Sequence, residues 1–590
     1  MLFQWAFYVN KGQGIIAFGV QNKDGAISKF NTAEKAYQQT PFTGFRTFVK
    51  GSRDEGTRSF MHMPFFPKRF TSSKLKPVRN MMIGMSEMEI EEISSEFGLK
   101  TNVLYFTVPD EEFASLVRTT TFTNLDATSA LTLDVLDGLG KIQPFGISNL
   151  NLDSIGRTME AWMNVYNVDA NGGVIEPYFH ISQGTGDTAQ VQIVKEGHFA
   201  VAFIEEDVGG NLDPTGLNTP LPFIVDPSVV FNSDTSMTNP SGFFGEGVGV
   251  EELSALPQGT TSRTPCSYAA AKIVIPPGGS ISITSVYGHA PDLETFLRSY
   301  SPTVRSHGFA SEKRKAAAAL VKTITDKVET STSSSLFDAY LRQNFLDNTL
   351  RGGLPIALGD PASPKIYHTF SRIHGDLERD YNNFQFEASY FSQGPGNFRD
   401  VSQNRRMDVL LSPAVGDFNV RMFLSFVQAD GYNPLTVAST NFIMSQNDVT
   451  AFLADIQISD SDTIISMYKL LTKSFRIGSL FNDLKAAGVT LSIERDVFLH
   501  KVLTHSTQMF AAQFAQNGFW ADVSFFMTYL STLNFPISVC VTYHHISTLI
   551  SFLFYCSFTP SLSFSPLSFL LLALDVYTRS HRQLFISIPG

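Results

Sequence analysis

Tyr381–Pro434 reads YNNFQFEASYFSQGPGNFRDVSQNRRMDVLLSPAVGDFNVRMFLSFVQADGYNP. It holds a glycine-broken loop, a dense set of short polar side chains and an amphipathic helix. Asn397, Arg399, Asp400, Gln403, Asn404, Arg405, Arg406 and Asp408 fall within a dozen residues, with no Lys or Glu among them. Solvated surface leans on long, flexible Lys and Glu, whereas planar and bidentate Asn, Gln, Asp and Arg suit the many hydroxyls of a sugar. A buried salt-bridge network under a loop would use the same residues, so the stretch alone leaves both readings open.

Outward from this stretch the chain is helical on the C-terminal side. Asp417 stands at an N-cap position, followed by Val420, Phe423, Leu424 and Val427 at i, i+3, i+4 and i+7. Val449–Ile456, Thr463–Lys473 and Val497–Gln516 carry further helical periods. On the N-terminal side, Leu293, Phe296 and Leu297 start a helical pattern. Leu320, Ile324 and Val328 form one stripe, and Leu336, Phe337, Tyr340, Leu341 and Phe345 a second, stopped by Gly352–Gly353. This is a helical linker over residues 291–353.

Before it, the chain reads as strands. Ile15–Val20 ends at the turn Asn22-Lys-Asp-Gly25, and Val103–Val108 ends at Pro109. Val117–Thr123 and Leu131–Leu136 flank a polar turn, the latter alternating apolar and polar residues at period two. His198–Ile204, Ala271–Ile275 and Ser280–Tyr287 follow, the last two joined by Pro276-Pro-Gly-Gly279. Many short strands with turn chemistry between them predict an antiparallel β-sandwich over residues 12–290.

At 590 residues the chain exceeds one ordinary core, and its 17% charged and 12% aromatic composition is that of a globular protein rich in rings. A net charge of −11 excludes a nucleic-acid binder, which needs a basic face. The three cysteines, Cys266, Cys540 and Cys556, have neither metal-ligand nor disulfide-framework spacing, so no metal is expected and a reducing compartment fits. Met1–Asn10 carries no leader pattern, which makes a cytoplasmic location the expectation if Met1 is the true start.

Four strings then carry a family resemblance: KAYQQTPFTGFR at Lys35–Arg46, NMMIGMS at Asn80–Ser86, KIYHTFSRIHGDLERDY at Lys365–Tyr381 and GNFRDVSQNRR at Gly396–Arg406. They resemble the inverting glycoside phosphorylases of the cellobiose-phosphorylase group (glycosyltransferase 36-like), and within it the β-1,3-glucan phosphorylases, over roughly residues 12–522. The resemblance implies a galactose-mutarotase-like β-sandwich, a helical linker and an (α/α)6 six-hairpin barrel, here occupying residues 354–522 and incomplete. It implies phosphorolysis of a β-glucosidic bond to α-glucose 1-phosphate, with inorganic phosphate as co-substrate and no cofactor. One carboxylic acid protonates the leaving oxygen while phosphate attacks from the opposite face, an inverting route with phosphate in place of water.

Residue by residue, Arg399 and Asp400 resemble the pair that binds sugar hydroxyls, with Gln403 and Asn404 as support. Asp522, two residues after Trp520, matches the family's general acid, and Trp520 would wall it from water. Partners implied are a β-glucan oligosaccharide and phosphate; a homodimer is compatible with the resemblance. The remaining readings are a six-hairpin glycoside hydrolase using water and a non-catalytic carbohydrate-binding scaffold.

After Asp522 the text departs from the family. Val523–Leu574 holds no Asp, Glu, Lys or Arg and is mostly Ser, Phe, Leu, Ile and Thr. Its apolar runs fall short of the roughly 20 residues that span a bilayer. Phe, Ser, Leu and Pro are the residues that pyrimidine-rich codons specify, and Val523-Ser524 can be encoded by a splice-donor sequence. The expectation is therefore that residues 523–590 are an aberrant tail from intron read-through and that this chain is an inactive, truncated form.

Overall fold

The computed structural model describes residues 5–10, 14–29, 31, 33–53, 58–67, 76–169, 172–185, 189–205, 213–371, 389–428, 432–458, 460–491 and 493–513. The chain divides into two compact units, Met1–Gln343 with Gln385–Tyr390, and Asn344–Phe384 with Phe391–Gly590.

The first unit opens on the antiparallel hairpin β1 (Trp5–Asn10) and β2 (Gly14–Gly19). There follow β3 (Phe45–Arg53), β4 (Arg58–His62), β5 (Val78–Ile83), β6 (Glu87–Ser94), β7 (Leu99–Thr107), β8 (Ser115–Asn124) and β9 (Leu131–Leu139). Then come β10 (Met163–Val168), β11 (Val174–Ile181), β12 (Gly197–Glu205), β13 (Phe223–Ile224), β14 (Ser267–Ile275) and β15 (Ser280–Ala290). An eight-stranded sheet in the order β10-β11-β12-β15-β8-β7-β6-β5 faces a five-stranded sheet in the order β13-β14-β9-β3-β4. Neighbouring strands are antiparallel throughout.

Period-two alternation makes this a sandwich. Leu131, Leu133 and Val135 of β9 and Ile273 of β14 pack on Phe122 of β8 and Ile283 of β15, all buried. The other face of the larger sheet is covered by helices from the segment after β15. Phe296, Tyr300, Val304 and Phe309 cover Phe199, Val201 and Val286, with the Phe199 and Phe296 rings stacked at 4.5 Å. Among the described residues the longer helices between strands are Ala33–Thr43 and Asn149–Trp162.

One buried ion pair crosses the sandwich. Arg118 of β8 donates from Nη2 to Asp137 Oδ1 of β9 at 2.6 Å and from Nε to Oδ2 at 3.1 Å. Thr47 and Thr120 hydroxyls donate to the same carboxylate at 2.6 and 2.8 Å, and Arg118 Nη1 donates to the Tyr105 hydroxyl. With Arg118 2% and Asp137 0% exposed, only this full set of partners makes the burial tolerable.

The helix Ser335–Gly352 ends where the glycine pair requires it: Gly353 takes φ +94° and its N–H reaches Thr349 O at 2.7 Å. Of its expected apolar stripe, Leu336, Phe337 and Tyr340 are exposed while Leu341 and Phe345 are half-buried.

The second unit holds β16 (Leu354–Leu358), β17 (Lys365–Thr369), β18 (Gly396–Asn397), β19 (Thr436–Val437), β20 (Asn441–Ile443), β21 (Thr507–Met509) and β22 (Ala512–Gln513). Helices Gln446–Asp455, Ser461–Leu471, Ile477–Ala486 and Arg495–His505 bury Phe452, Met467, Leu471, Leu480, Phe498 and Val502 together. The helix expected over Val497–Gln516 stops at His505. Ser506 is extended, and the chain beyond pairs Ile443↔Thr507 and Val437↔Ala512. Ladder hydrogen bonds to two waiting strands outweigh a weak local helical preference there. Asp417 sits at the N-cap of Phe418–Ser425, but its carboxylate accepts from Arg421 Nε at 2.7 Å rather than from the helix backbone.

Candidate functional site

The site is built from the loop that precedes the helix Phe398–Asn404. Phe391–Gly396 is stitched down on both sides. Phe391 O accepts from the Tyr367 hydroxyl at 2.6 Å, Ser392 O from Phe370 N at 2.9 Å, and Gly394 N donates to Ser371 O at 2.6 Å. Gln393 holds the middle: its Nε2 donates to His368 O at 2.7 Å while its Oε1 accepts from Thr440 N at 2.6 Å. The loop ends in β18, paired with β19, and Phe398 N reaches Leu435 O at 3.0 Å. Each of these partners is lost if the loop shifts, so the start of the helix is fixed.

Helical periodicity then sorts the polar cluster into an inner and an outer set. Phe398 and Val401 face the core of Val420 and Phe423, with the Phe398 and Phe423 rings edge-on at 5.2 Å. That places Arg405 inside and Arg399, Asp400 and Gln403 on the other side.

The inner set is a buried hydrogen-bonded network in which Asn419 Oδ1 has no partner among the described residues. Arg405, 5% exposed, donates from Nε to Gly352 O at 2.6 Å and from Nη2 to Ser371 Oγ at 3.4 Å. Asp408 Oδ2 accepts from Asn419 Nδ2 at 2.9 Å and meets His368 Nε2 at 2.8 Å. Burial, helped by the Arg405 charge, pushes His368 down to about 4 against the pull of Asp408, so the imidazole is neutral at pH 7. Burial also lowers Arg405 to about 10, which still leaves it charged. For Arg405 and Asp408 the buried-network reading of the cluster is therefore the right one.

The outer set is different. Asp400 Oδ2 accepts from Asn397 Nδ2 at 3.1 Å and its Oδ1 from Arg399 Nε at 3.4 Å, with Arg399 47% and Asp400 27% exposed. Among the described residues each carboxylate oxygen takes one protein donor, which leaves lone pairs for a ligand. Gln403 is exposed on the same helix. Asn404 belongs with the scaffold: a side chain on Gly352 would lie 2.9 Å from its Cβ, so it packs against the end of the preceding helix. Trp520 and Asp522 lie outside the described residues.

Sequence reasoning missed Asn397 as the residue that orients Asp400, and Gln393 as the one that anchors the loop. Asn397 was in view within the cluster; Gln393, flanked by Ser392 and Gly394, carried no signal of its own. Among the described residues no group of three or more His, Cys, Asp or Glu could hold a metal, and no helix is long and apolar enough to cross a membrane.

No protein-family model matches the chain, and no curated protein matches it. Among solved structures it is similar to a polysaccharide lyase, at TM-score 0.25 and 10% identity over 50% of this chain and 33% of that one. It is also similar to a bacterial glucoamylase complexed with acarbose, at TM-score 0.28 and 9% identity over 85% of this chain and 67% of that one. A third is described as a kojibiose phosphorylase from the human microbiome, at TM-score 0.21 and 9% identity over 84% of this chain and 60% of that one. Similarity at this level does not define the chemistry of this chain, which its own side chains must carry.

Proposed function

We propose that this chain is of the glycoside-phosphorylase type and that Asp400 grips the glucosyl unit next to the bond that breaks. The observation that carries this reading is the Asp400 carboxylate. It is partly exposed, oriented by Asn397 and Arg399, and carried by the first turn of a helix whose preceding loop is anchored through Gln393. An ionised carboxylate so placed accepts two sugar hydroxyls, and the Arg399 fork beside it supplies donors in fixed geometry. Gln403, on the same exposed side, would add a further hydroxyl contact.

In this reading the sugar is a β-1,3-linked oligoglucan, phosphate is the nucleophile, and Asp522 protonates the leaving oxygen with Trp520 excluding water. The residues belong to an (α/α)6 barrel, the first unit being a galactose-mutarotase-like sandwich. No cofactor beyond inorganic phosphate is invoked. We further propose that Val523–Gly590 is intron read-through. Turnover would then require a chain in which family sequence resumes after Asp522; a transcript spliced continuously through residue 590, with no such exon, refutes that part.

The binding half is tested on the chain as it stands. Titrating laminaritriose calorimetrically should show saturable binding that Asp400→Asn weakens at least about tenfold, the loss of one charge-assisted hydrogen bond. Binding that is indifferent to Asp400→Asn refutes the assignment.

A further inference from the structure

The first unit contains a cavity of about 750 Å³, within the range of small-molecule sites. It is bounded by the helices Ala33–Thr43 and Asn149–Trp162 and by the segment that follows β9. That segment is fixed on three sides: Lys141 N donates to Thr43 O at 3.0 Å, Ile142 N to Pro265 O at 2.9 Å and Gln143 N to Ile27 O at 2.7 Å.

The lining charges are unequal. Three ammoniums, Lys29, Lys35 and Lys141, meet two carboxylates, Asp153 and Glu160, in a chain whose overall charge is −11. Both carboxylates are engaged. Asp153 pairs with Lys29, and Glu160 accepts from Thr264 N at 3.1 Å and its hydroxyl at 2.9 Å. Among the described residues Lys35 and Lys141 have no ion pair or side-chain hydrogen bond. Lys141 reaches solvent yet is desolvated by the walls around it. That, with the neighbouring Lys29 charge, lowers its ammonium below the usual lysine range against the pull of Glu160.

A lysine-lined crevice is ordinarily plain solvated surface. Here the wall itself is cut back. Gly156 directly follows the kink that breaks Asn149–Trp162 into two helical pieces and lines the cavity, and a Cβ there would meet nothing within 4 Å. Its neighbour Ile155 has left helical geometry at φ −133° and ψ 35°. No packing contact at Gly156 requires a glycine, and its missing side chain leaves the cavity open there.

We propose that this cavity is a binding site for a hydroxyl-rich anion of the hexose-monophosphate class. Lys35 and Lys141 would neutralise the phosphate, and Gln39, Thr43 and Glu160 would meet the hydroxyls. The inference stands on the first unit alone and does not depend on phosphorolysis at Asp400.

The test is calorimetric titration of the full chain with glucose 6-phosphate, and separately with glucose and with inorganic phosphate. Saturable one-site binding of glucose 6-phosphate is expected, at least tenfold tighter than glucose. Lys141→Gln should weaken it tenfold or more. Gly156→Phe should abolish it while leaving the circular dichroism and melting temperature at wild-type values. Asp400→Asn should leave it unchanged, which separates this site from the sugar grip proposed above. No saturation at millimolar glucose 6-phosphate, equal affinity for glucose, indifference to Lys141→Gln and Gly156→Phe, or loss in Asp400→Asn would each overturn the proposal. If Gly156→Phe does not fold, the double change Lys35→Gln with Lys141→Gln takes its place: it should abolish saturable binding, and wild-type affinity there would overturn the proposal.

Discussion

Asp408→Asn and Asp400→Asn are the same chemical change eight residues apart, and the structure predicts opposite consequences. Asp408 is buried and accepts from two donors, His368 Nε2 at 2.8 Å and Asn419 Nδ2 at 2.9 Å. Asn can still accept from both, so what is lost is charge. Hydrogen bonds to a charged group contribute about 1 kcal/mol more than neutral ones, or about 2 kcal/mol for the two. Arg405, buried and charged, also loses the anion that offsets its desolvation. The total approaches about 3 kcal/mol, the low end of the cost of breaking a buried pair. Asp400, 27% exposed, should change stability by no more than about 0.5 kcal/mol. Urea denaturation gives the totals. Because the chain has two units, hydrogen exchange should localise the Asp408→Asn loss to Phe391–Ser425 and leave the sandwich strands unaffected. The division into an inner scaffold and an outer grip is refuted if Asp408→Asn melts like wild type, or if Asp400→Asn costs as much as Asp408→Asn.

Acid should act on the same network. His368 titrates near 4 when folded and near its ordinary 6.5 when unfolded, so the unfolded chain binds the proton first and stability falls as pH drops from about 6.5 towards 4. Linkage puts the loss at about 2 kcal/mol by pH 5, measurable as a downward shift of the urea midpoint of the second unit, and absent in His368→Gln. In the sandwich, Asp137→Asn should cost about 3–5 kcal/mol because it strands the Arg118 guanidinium between the sheets. The double change Arg118→Met with Asp137→Leu should cost much less, a coupling read directly by a double-mutant cycle.

The seven strands read in the sequence were legible because their signals are local, whereas β3–β6, β10 and β11 were not read. β9 alternates at period two, and the Pro276–Gly279 turn, with Gly278 at φ +68°, sets the β14–β15 hairpin. The strand order was not legible, since β8 pairs with β15 across more than 150 residues and no local pattern encodes that partner. Asp137 could have been found. It follows Leu131, Leu133 and Val135 at the inward parity of β9, where a charge demands a buried cation. In the candidate site, residue types pointed to a polar constellation, but only the packing of Phe398 and Val401 decides which members face inward. The misreading of Val497–Gln516 as one helix has the same origin: its end is set by strands some 70 residues earlier.

If Asp400 holds a glucosyl unit for attack by phosphate, the decisive assay is release of glucose 1-phosphate from laminari-oligosaccharides, with and without phosphate. It uses the chain completed beyond Asp522 from its spliced transcript. Release should require phosphate and should disappear in Asp400→Asn while the protein remains folded. Glucose released without phosphate, or glucose 1-phosphate formed as fast by Asp400→Asn as by wild type, would contradict that role.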